Sequence, residues 1–327
     1  MKALLSRRCG GPEALEYSEV ATPEVGDSEV RITVRACAIN YPDVLMIEDK
    51  YQFKPERPFA PGVEIAGVVE SVGPKVTSLQ AGNRVLASLR WGGLAEFAVA
   101  HEDHFTVIPD SMPFNEAAAF QVTYGTGYHA LVDRGNLASG ETLLVMGASG
   151  GVGLAAVELG RAFGAHVVAA VSSESKGAYA KERGAHDVIV YPTHPEHPRD
   201  LGALFKGCAP SGIDVIYDPI GGAYSEPALR SLNFGGRHLV IGFAAGIPSP
   251  PWNIALLKGS AIVGVFWGAW MSKYPLLHRR NNEALLRMYS LGELRPLVSE
   301  TFPLREGGAA IRRLAERKAI GKLVVTV

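Results

Sequence analysis

The stretch Thr142-Leu-Leu-Val-Met-Gly-Ala-Ser-Gly-Gly-Val-Gly153 decides the fold, because an apolar strand runs directly into a glycine-rich turn and then a helix. Residues 142–171 form a unit of 30 residues, about the length of a strand–helix–strand dinucleotide-binding unit. Gly150 would let backbone amides approach a diphosphate, and Gly153 would let the helix pack closely on the strand. Read as Gly-x-Gly-x-x-Gly, the pattern has Ala148 in place of its first glycine. The predicted diphosphate-binding residues are Ala148, Ser149, Gly150, Gly151, Val152 and Gly153.

Around this unit, strand-like segments alternate regularly with helical ones. The predicted strands are residues 142–146, 167–171, 187–190, 213–217, 237–241 and 261–266. The alternation predicts an α/β fold with a doubly wound parallel sheet. The longest near-apolar run, residues 259–271, is shorter than the ~20 residues that cross a bilayer, so we interpret it as a buried strand.

The chain before this sheet has a different pattern of residues. From residue 1 to about 109, short β-branched segments separated by turns predict a compact β-rich domain. After residue 270, the sequence predicts helices at 282–291 and 308–317 and a strand at 322–327. From the pattern alone, this tail could extend either domain.

Composition narrows the possible partners. The 327 residues include 32 Lys+Arg and 33 Asp+Glu, so no bulk charge attracts nucleic acid or an anionic membrane. The three cysteines Cys9, Cys37 and Cys208 lie far apart, which argues against a disulfide framework or a cysteine-built zinc site. The first residues lack the apolar core of a signal peptide. We therefore expect a cytoplasmic protein that recognises a small molecule.

The same glycine turn permits a second interpretation. Residues 147–151 also match the Gly-x-Ser-x-Gly nucleophile elbow of serine hydrolases, with Ser149 as the nucleophile. Asp218 with His238 or His278 could complete a triad. An elbow does not require Gly153, however, and no His-Gly-Gly oxyanion sequence lies upstream.

The choice between NAD and NADP depends on the end of the second strand, where an acidic residue would bind the ribose of NAD. The expected strand 167–171 is followed by Ser172 and Ser173, and Lys176 comes soon after. Two hydroxyl groups and an ammonium suit a 2′-phosphate, and Tyr191 after the third strand could add a contact. Glu174 is the residue that opposes this interpretation, and a plain helix cap is the structural alternative.

Several motifs together resemble the medium-chain dehydrogenase/reductase superfamily, in its zinc-free quinone oxidoreductase branch. The motifs are Ala38-Ile-Asn-Tyr-Pro-Asp-Val44 with Tyr51, Pro58-Phe-Ala-Pro-Gly-Val-Glu-Ile-Ala-Gly-Val68, Ala81-Gly-Asn-Arg-Val85, Thr123-Tyr-Gly-Thr126, residues 148–153, Asp218-Pro-Ile-Gly-Gly222 and Val265-Phe-Trp-Gly268. The resemblance implies a GroES-like catalytic domain of residues 1–122, completed by about 270–327, and a Rossmann NADPH-binding domain of residues 123–269. It also implies NADPH in the cleft between them and a homodimer. The residues implied to line the nicotinamide half are Thr126, Gly242, Phe243, Phe266, Trp267 and Gly268.

The resemblance also bears on metal content. Zinc alcohol dehydrogenases of this superfamily carry a cysteine where this chain has Asn40 and a histidine where it has Val63. A valine offers no lone pair to zinc, so we expect no metal here. The histidine pairs 101/104 and 194/197 are alternative metal positions, but the first runs into a loop and prolines interrupt the second.

Without a Lewis acid, hydride should pass from NADPH to an acceptor that is already electron-poor, such as a quinone or an α,β-unsaturated carbonyl. Asn40 and Tyr51 are the candidates to hydrogen-bond the oxygen on which charge develops. Reduction of an enoyl or acryloyl thioester is an alternative within the same family. An NADPH-binding structural or RNA-interacting protein without turnover is an alternative of another class, which the net charge of -1 disfavours.

Overall fold

The computed structural model describes residues 1–193, 198–207, 209 and 211–327. Contacts between residues divide the chain into two compact units. The first unit consists of Met1–Val122 and Arg295–Val327, and the second consists of Thr123–Leu294.

The strands and helices of the described residues are as follows. The strands are β1 Lys2–Ser6, β2 Leu15–Glu19, β3 Glu29–Ala38, β4 Glu64–Val72, β5 Arg84–Ser88, β6 Phe97–His101, β7 Phe105–Val107, β8 Thr142–Met146, β9 His166–Val171, β10 Asp187–Val190, β11 Ile213–Asp218, β12 Leu232–Val240, β13 Ala261–Gly264, β14 Val298–Pro303 and β15 Lys322–Thr326. The helices are α1 Tyr41–Ile47, α2 Phe114–Ala118, α3 Gln121–Tyr128, α4 Gly151–Ala162, α5 Glu174–Glu182, α6 Pro198–Gly207, α7 Ser225–Ser231, α8 Asn253–Lys258, α9 Trp267–Lys273, α10 Pro275–Ser290 and α11 Gly307–Ala315. Short 3-10 turns lie at Pro12–Ala14, Glu102–His104, Gly222–Tyr224 and Leu304–Glu306, and a π-helical turn, His129–Arg134, follows α3.

The first unit is built on a seven-stranded sheet. Its strand order is β14-β15-β3-β4-β5-β7, and β6 also pairs with β3. All of these pairs are antiparallel except β14 with β15. Strand β15 comes from the end of the chain and lies beside β3, so both parts of the unit share one sheet. The prediction of a β-rich first domain is confirmed.

The second unit contains a six-stranded parallel sheet. Its order is β10-β9-β8-β11-β12-β13, which is the order 3-2-1-4-5-6 of a doubly wound dinucleotide-binding fold. Every pair is parallel, so the carboxyl ends of all six strands lie at one edge. The predicted α/β fold class is confirmed.

The interpretation of residues 259–271 as one buried strand was wrong. Strand β13 ends at Gly264, and helix α9 begins at Trp267. Strand β13 is the last strand of this sheet and, of the described strands, pairs only with β12, so its residues are half-buried or exposed. Among the described residues, no helix combines the length and apolar character needed to cross a membrane.

The expected second boundary near residue 270 was also wrong, because residues 270–294 belong to the second unit. Helix α10 begins at Pro275, seven residues before the predicted start. From this helix, the Asn281 amide donates to the Asp133 carboxylate at 2.8 Å. The ring of Trp270 stacks on His129 with the ring centroids 4.2 Å apart. These contacts hold the segment within the second unit.

Candidate active site

The glycine turn after β8 has the geometry that an anion site needs. Helix α4 begins directly after its N-cap residue Gly150, which has no side chain to cap the first turn, and the first N–H groups have no partner within the helix. A Cβ at Gly153 would lie 2.3 Å from the Gly147 carbonyl oxygen, whereas one at Gly150 would meet nothing closer than 3.6 Å. Gly153 is therefore needed for helix packing, and Gly150 leaves the backbone open. The residues present fit a diphosphate group.

The predicted ribose-phosphate residues lie together at the end of β9. The Lys176 ammonium donates to the Ser172 hydroxyl at 3.1 Å, and the Ser173 hydroxyl caps α5 by accepting from the Lys176 backbone N–H at 3.3 Å. Glu174 is exposed at the first position of α5. Tyr191 is buried, with its ring 5.1 Å from that of Tyr224. This corner therefore presents one ammonium and two hydroxyl groups.

Strand β11, which pairs with β8 on the side opposite β9, ends in a turn that is hydrogen-bonded to a second loop. The Asp218 carboxylate accepts from the backbone N–H groups of Ile220 and Gly221, both at 2.9 Å. Gly222 N–H donates to the Gly246 carbonyl at 2.7 Å, which joins this turn to the loop that follows Gly242 and Phe243. A Cβ at Gly221 would lie 2.5 Å from that same carbonyl oxygen. Both loops therefore have fixed backbones.

Burial opposes ionisation of Asp218, but its hydrogen bonds outweigh burial and hold the pKa of this carboxyl below its ordinary value. The contact that lowers the pKa most is with His238, whose Nε2 lies 2.9 Å from Oδ2. The Ser225 hydroxyl donates to the same oxygen at 2.6 Å. Asp218 is therefore an ionised structural anchor for the turn.

The nicotinamide-lining candidates lie at the same edge of the sheet. The indole of Trp267 packs so closely on α3 that a Cβ at Gly125 would approach it to 2.8 Å, which brings Trp267 beside the segment carrying Thr126. Phe266 and Phe243 are about half exposed, and Gly268 lies in the first turn of α9. The carboxyl ends of β8, β9, β10, β12 and β13 thus bring most of the predicted cofactor residues to one edge.

A buried ionic cluster occupies the first unit. The Lys322 ammonium donates to the Asn40 side-chain oxygen at 2.6 Å, the Ile39 carbonyl at 3.0 Å and the Glu64 carboxylate at 3.2 Å. The Asn40 amide nitrogen donates to the Ala38 carbonyl at 3.2 Å and to Glu64 at 3.1 Å. Both amide hydrogens of Asn40 therefore have acceptors, so Asn40 has no spare donor for a substrate oxygen. Glu64 and Lys322 were not predicted from the sequence.

Tyr51 differs from Asn40 in this respect. It is half-buried, and no described residue forms a hydrogen bond with its hydroxyl. Burial, and then the nearby Asp43 carboxylate, raises the pKa of Tyr51, so the phenol keeps its proton at neutral pH. Asp43 accepts from the backbone N–H groups of Asn40 and Gly62, and burial raises its pKa to about 6. Tyr51 is the available hydrogen-bond donor of the two catalytic candidates.

Both halves of the chain match known family models. Residues 26–110 match the alcohol dehydrogenase GroES-like domain, and residues 151–281 match the zinc-binding dehydrogenase model. A quinone oxidoreductase-like protein 2 homolog of Nematostella vectensis is 38% identical, over 99% of this chain and 88% of its own length. The quinone oxidoreductase of Sus scrofa is 33% identical, over 99% and 97%. The chain belongs to the quinone oxidoreductase family of the medium-chain dehydrogenase/reductase superfamily.

A solved member of this family also matches in three dimensions. The quinone oxidoreductase of Thermus thermophilus, solved alone and in complex with NADPH, is 34% identical and superposes with a TM-score of 0.86 over 100% of both chains. The relationship therefore extends over the whole chain, and the protein is an oxidoreductase of this family.

The second family model is named for zinc, but the residues here do not fit a zinc ion. The oxygen atoms of Asn40 and Glu64 accept from the Lys322 ammonium, and Val63 has no ligand atom. Among the described residues, no three His, Cys, Asp or Glu side chains form a metal-binding group. His101 lies beside Asp103, and the pair 194/197 falls outside the described residues.

A hydrolase of the nucleophile-elbow type also lacks its geometry. The Ser149 hydroxyl forms no hydrogen bond with any described residue. His238 instead bonds Asp218, which also accepts from Ser225. No base therefore activates Ser149 in the described parts of the chain.

Proposed function

We propose that this family member is an NADPH-dependent reductase that transfers hydride to a quinone or an α,β-unsaturated carbonyl compound without a metal ion. The observation that carries the proposal is the pair Ser172 and Lys176 at the end of β9, beside the strand that leads into the glycine turn. An ammonium and a hydroxyl at this position suit the 2′-phosphate that distinguishes NADPH from NADH. The relatives named as quinone oxidoreductases support the choice of acceptor.

In the proposed reaction the acceptor gains one hydride and one proton. Bound NADPH supplies the hydride, which carries two electrons to the acceptor. The acceptor oxygen gains negative charge and then takes a proton that comes ultimately from water. Tyr51 donates a hydrogen bond to this oxygen as the charge develops. Asn40 keeps its bonds to Lys322 and Glu64 and supports the local backbone.

NADPH oxidation against a panel of acceptors tests this function. The panel holds one ortho-quinone, one para-quinone, one enal and one enoyl thioester, each with enzyme treated with a chelator. We expect turnover with a quinone or the enal, and Tyr51→Phe should lower kcat by roughly 10²-fold while NADPH affinity is unchanged. Preference for the thioester would indicate the alternative reductase. NADPH binding without oxidation of any acceptor, or stoichiometric zinc in the active protein, would contradict the proposal.

Lys176→Ala should weaken NADPH binding far more than NADH binding. A charge-assisted hydrogen bond to phosphate contributes ~1.5–3 kcal/mol, which is roughly 10- to 100-fold in affinity. Titration of both cofactors by fluorescence measures the ratio. Lys181→Ala is the matched control, because Lys181 lies on the same helix but donates to the His186 carbonyl. Equal loss of both cofactors in Lys176→Ala would refute a 2′-phosphate contact.

We also propose that the protein forms a homodimer through the margin of the six-stranded sheet. Strand β13 pairs on one side only among the described strands. Four large apolar side chains near it are 74 to 85% exposed: Phe234, Trp252, Leu256 and Leu257. A second copy would cover this apolar surface and supply the missing strand partner. Sedimentation velocity measures whether the particle has twice the chain mass.

A further inference from the structure

Two loops of the first unit are anchored near Tyr51. The loop after α1 is held by Arg57, which donates to the Ile47 carbonyl at 3.1 Å and forms an ion pair with Asp49 at 2.9 Å. The loop after β5 is held by Gly92, whose N–H donates to the Ala60 carbonyl at 2.8 Å. Side chains between these anchors therefore project from a fixed backbone.

Three of these side chains contact one another in series, and we call them the aromatic–arginine cluster: Tyr51, Phe53 and Arg90. The Tyr51 and Phe53 rings meet edge to face with their centroids 6.0 Å apart. The Arg90 guanidinium lies 5.7 Å from the centroid of Phe53. Phe53 is 43% exposed, so its ring is open to a ligand.

The guanidinium of this cluster is not paired with an acidic side chain in the part of the chain that the structure describes. Among the described residues, no carboxylate forms an ion pair or hydrogen bond with Arg90. Two acidic residues at the start of the loop that carries Tyr51 and Phe53 are already paired, Glu48 with Lys50 at 2.7 Å and Asp49 with Arg57 at 2.9 Å. Exposed Glu56 and Lys54, on the same loop, balance each other in charge. The cluster thus combines a phenol donor, an open aromatic ring and an uncompensated guanidinium.

We propose that the aromatic–arginine cluster selects acceptors in which a flat conjugated ring carries an acid group, such as a sulfonate or carboxylate. The ring of such an acceptor packs against Phe53, its carbonyl oxygen accepts from Tyr51, and its acid group pairs with Arg90. This inference rests on the proposed reductase function and adds the substrate class to it.

The experiment compares 1,4-naphthoquinone with 1,4-naphthoquinone-2-sulfonate as acceptors for the wild type and Arg90→Gln. We expect Arg90→Gln to lower kcat/KM for the sulfonate about tenfold, mainly through KM, and to change that for the neutral quinone less than about twofold. Because each variant is compared on both acceptors, the different reactivity of the two quinones cancels. Added salt should reduce the advantage of the wild type.

Arg305→Gln is the matched control, because Arg305 lies over the ring of Tyr17 with its guanidinium 4.9 Å from the ring centroid and carries the same charge. Unchanged sulfonate selectivity in Arg90→Gln, or an equal loss in Arg305→Gln, would overturn the inference while the neutral quinone still reports an active reductase. Failure of the wild type to reduce either quinone would instead overturn the proposed quinone reductase function, and the substrate class with it.

Discussion

Lys322→Met should lower the free energy of unfolding by about 3–5 kcal/mol, because it leaves the buried Glu64 carboxylate without its cation. The Lys322 ammonium makes hydrogen bonds to Asn40, Ile39 and Glu64, and the Glu64 side chain is fully buried. Urea unfolding followed by circular dichroism measures the change.

Two further variants separate the ion pair from simple loss of packing. The double variant Glu64→Gln with Lys322→Met should regain part of the lost stability, since it removes both charges. Lys318→Met should leave the stability nearly unchanged, because its ion pair with Glu316 is exposed and screened by solvent. Equal losses in the single and double variants would show that charge pairing does not govern the effect.

Gly153→Ala should damage both folding and cofactor binding. Its new methyl group would lie 2.3 Å from the Gly147 carbonyl oxygen and 2.8 Å from the Ala148 Cα, so α4 must shift away from the turn. We expect a loss of about 1–3 kcal/mol in stability. The shifted amides should weaken NADPH binding on the order of 10²-fold. Urea unfolding and calorimetric titration with NADPH measure the two effects.

Gly150→Ala provides the comparison, because its Cβ would meet only the Gly147 carbonyl oxygen, at an ordinary contact distance of 3.6 Å, and its backbone conformation is one that alanine adopts. Its stability should change by less than about 1 kcal/mol, while NADPH binding weakens because the methyl faces the approaching diphosphate. The two glycines would not have separate roles if Gly150→Ala lost stability as Gly153→Ala does, or if it bound NADPH normally.

The elements of the second unit were well predicted, because the hydrophobic pattern within each segment indicates whether it forms a strand or a helix. Strand β8 and the glycine turn lie next to each other along the chain, so a short pattern specifies both. The predicted limits of an element were wrong where they depend on its position in the folded unit. The apolar run from Gly259 looks like one strand, because a short apolar segment does not distinguish a strand from a helix. In the structure this run divides into the edge strand β13, which ends at Gly264, and helix α9, which begins at Trp267.

The candidate catalytic residues show a second limit of sequence reasoning. Asn40 and Tyr51 are both possible donors in the sequence, and only the fold shows that the hydrogens of Asn40 are already used. A signal for its partners did exist. Glu64 interrupts an apolar segment, and Lys322 begins an apolar strand. Because a buried charge usually requires a partner of opposite sign, each of these residues suggested that such a partner exists. Their pairing could not be derived, because it depends on which strands become neighbours.

The placement of β15 beside β3 has a consequence for how the protein is made. Glu64 and Lys322 are separated by 258 residues, so at ~5–20 residues per second Glu64 leaves the ribosome roughly 13 to 50 seconds before its partner. All strands of the parallel sheet emerge within that interval. The nascent chain can therefore complete the second unit first, while the sheet of the first unit stays incomplete until Lys322 has emerged.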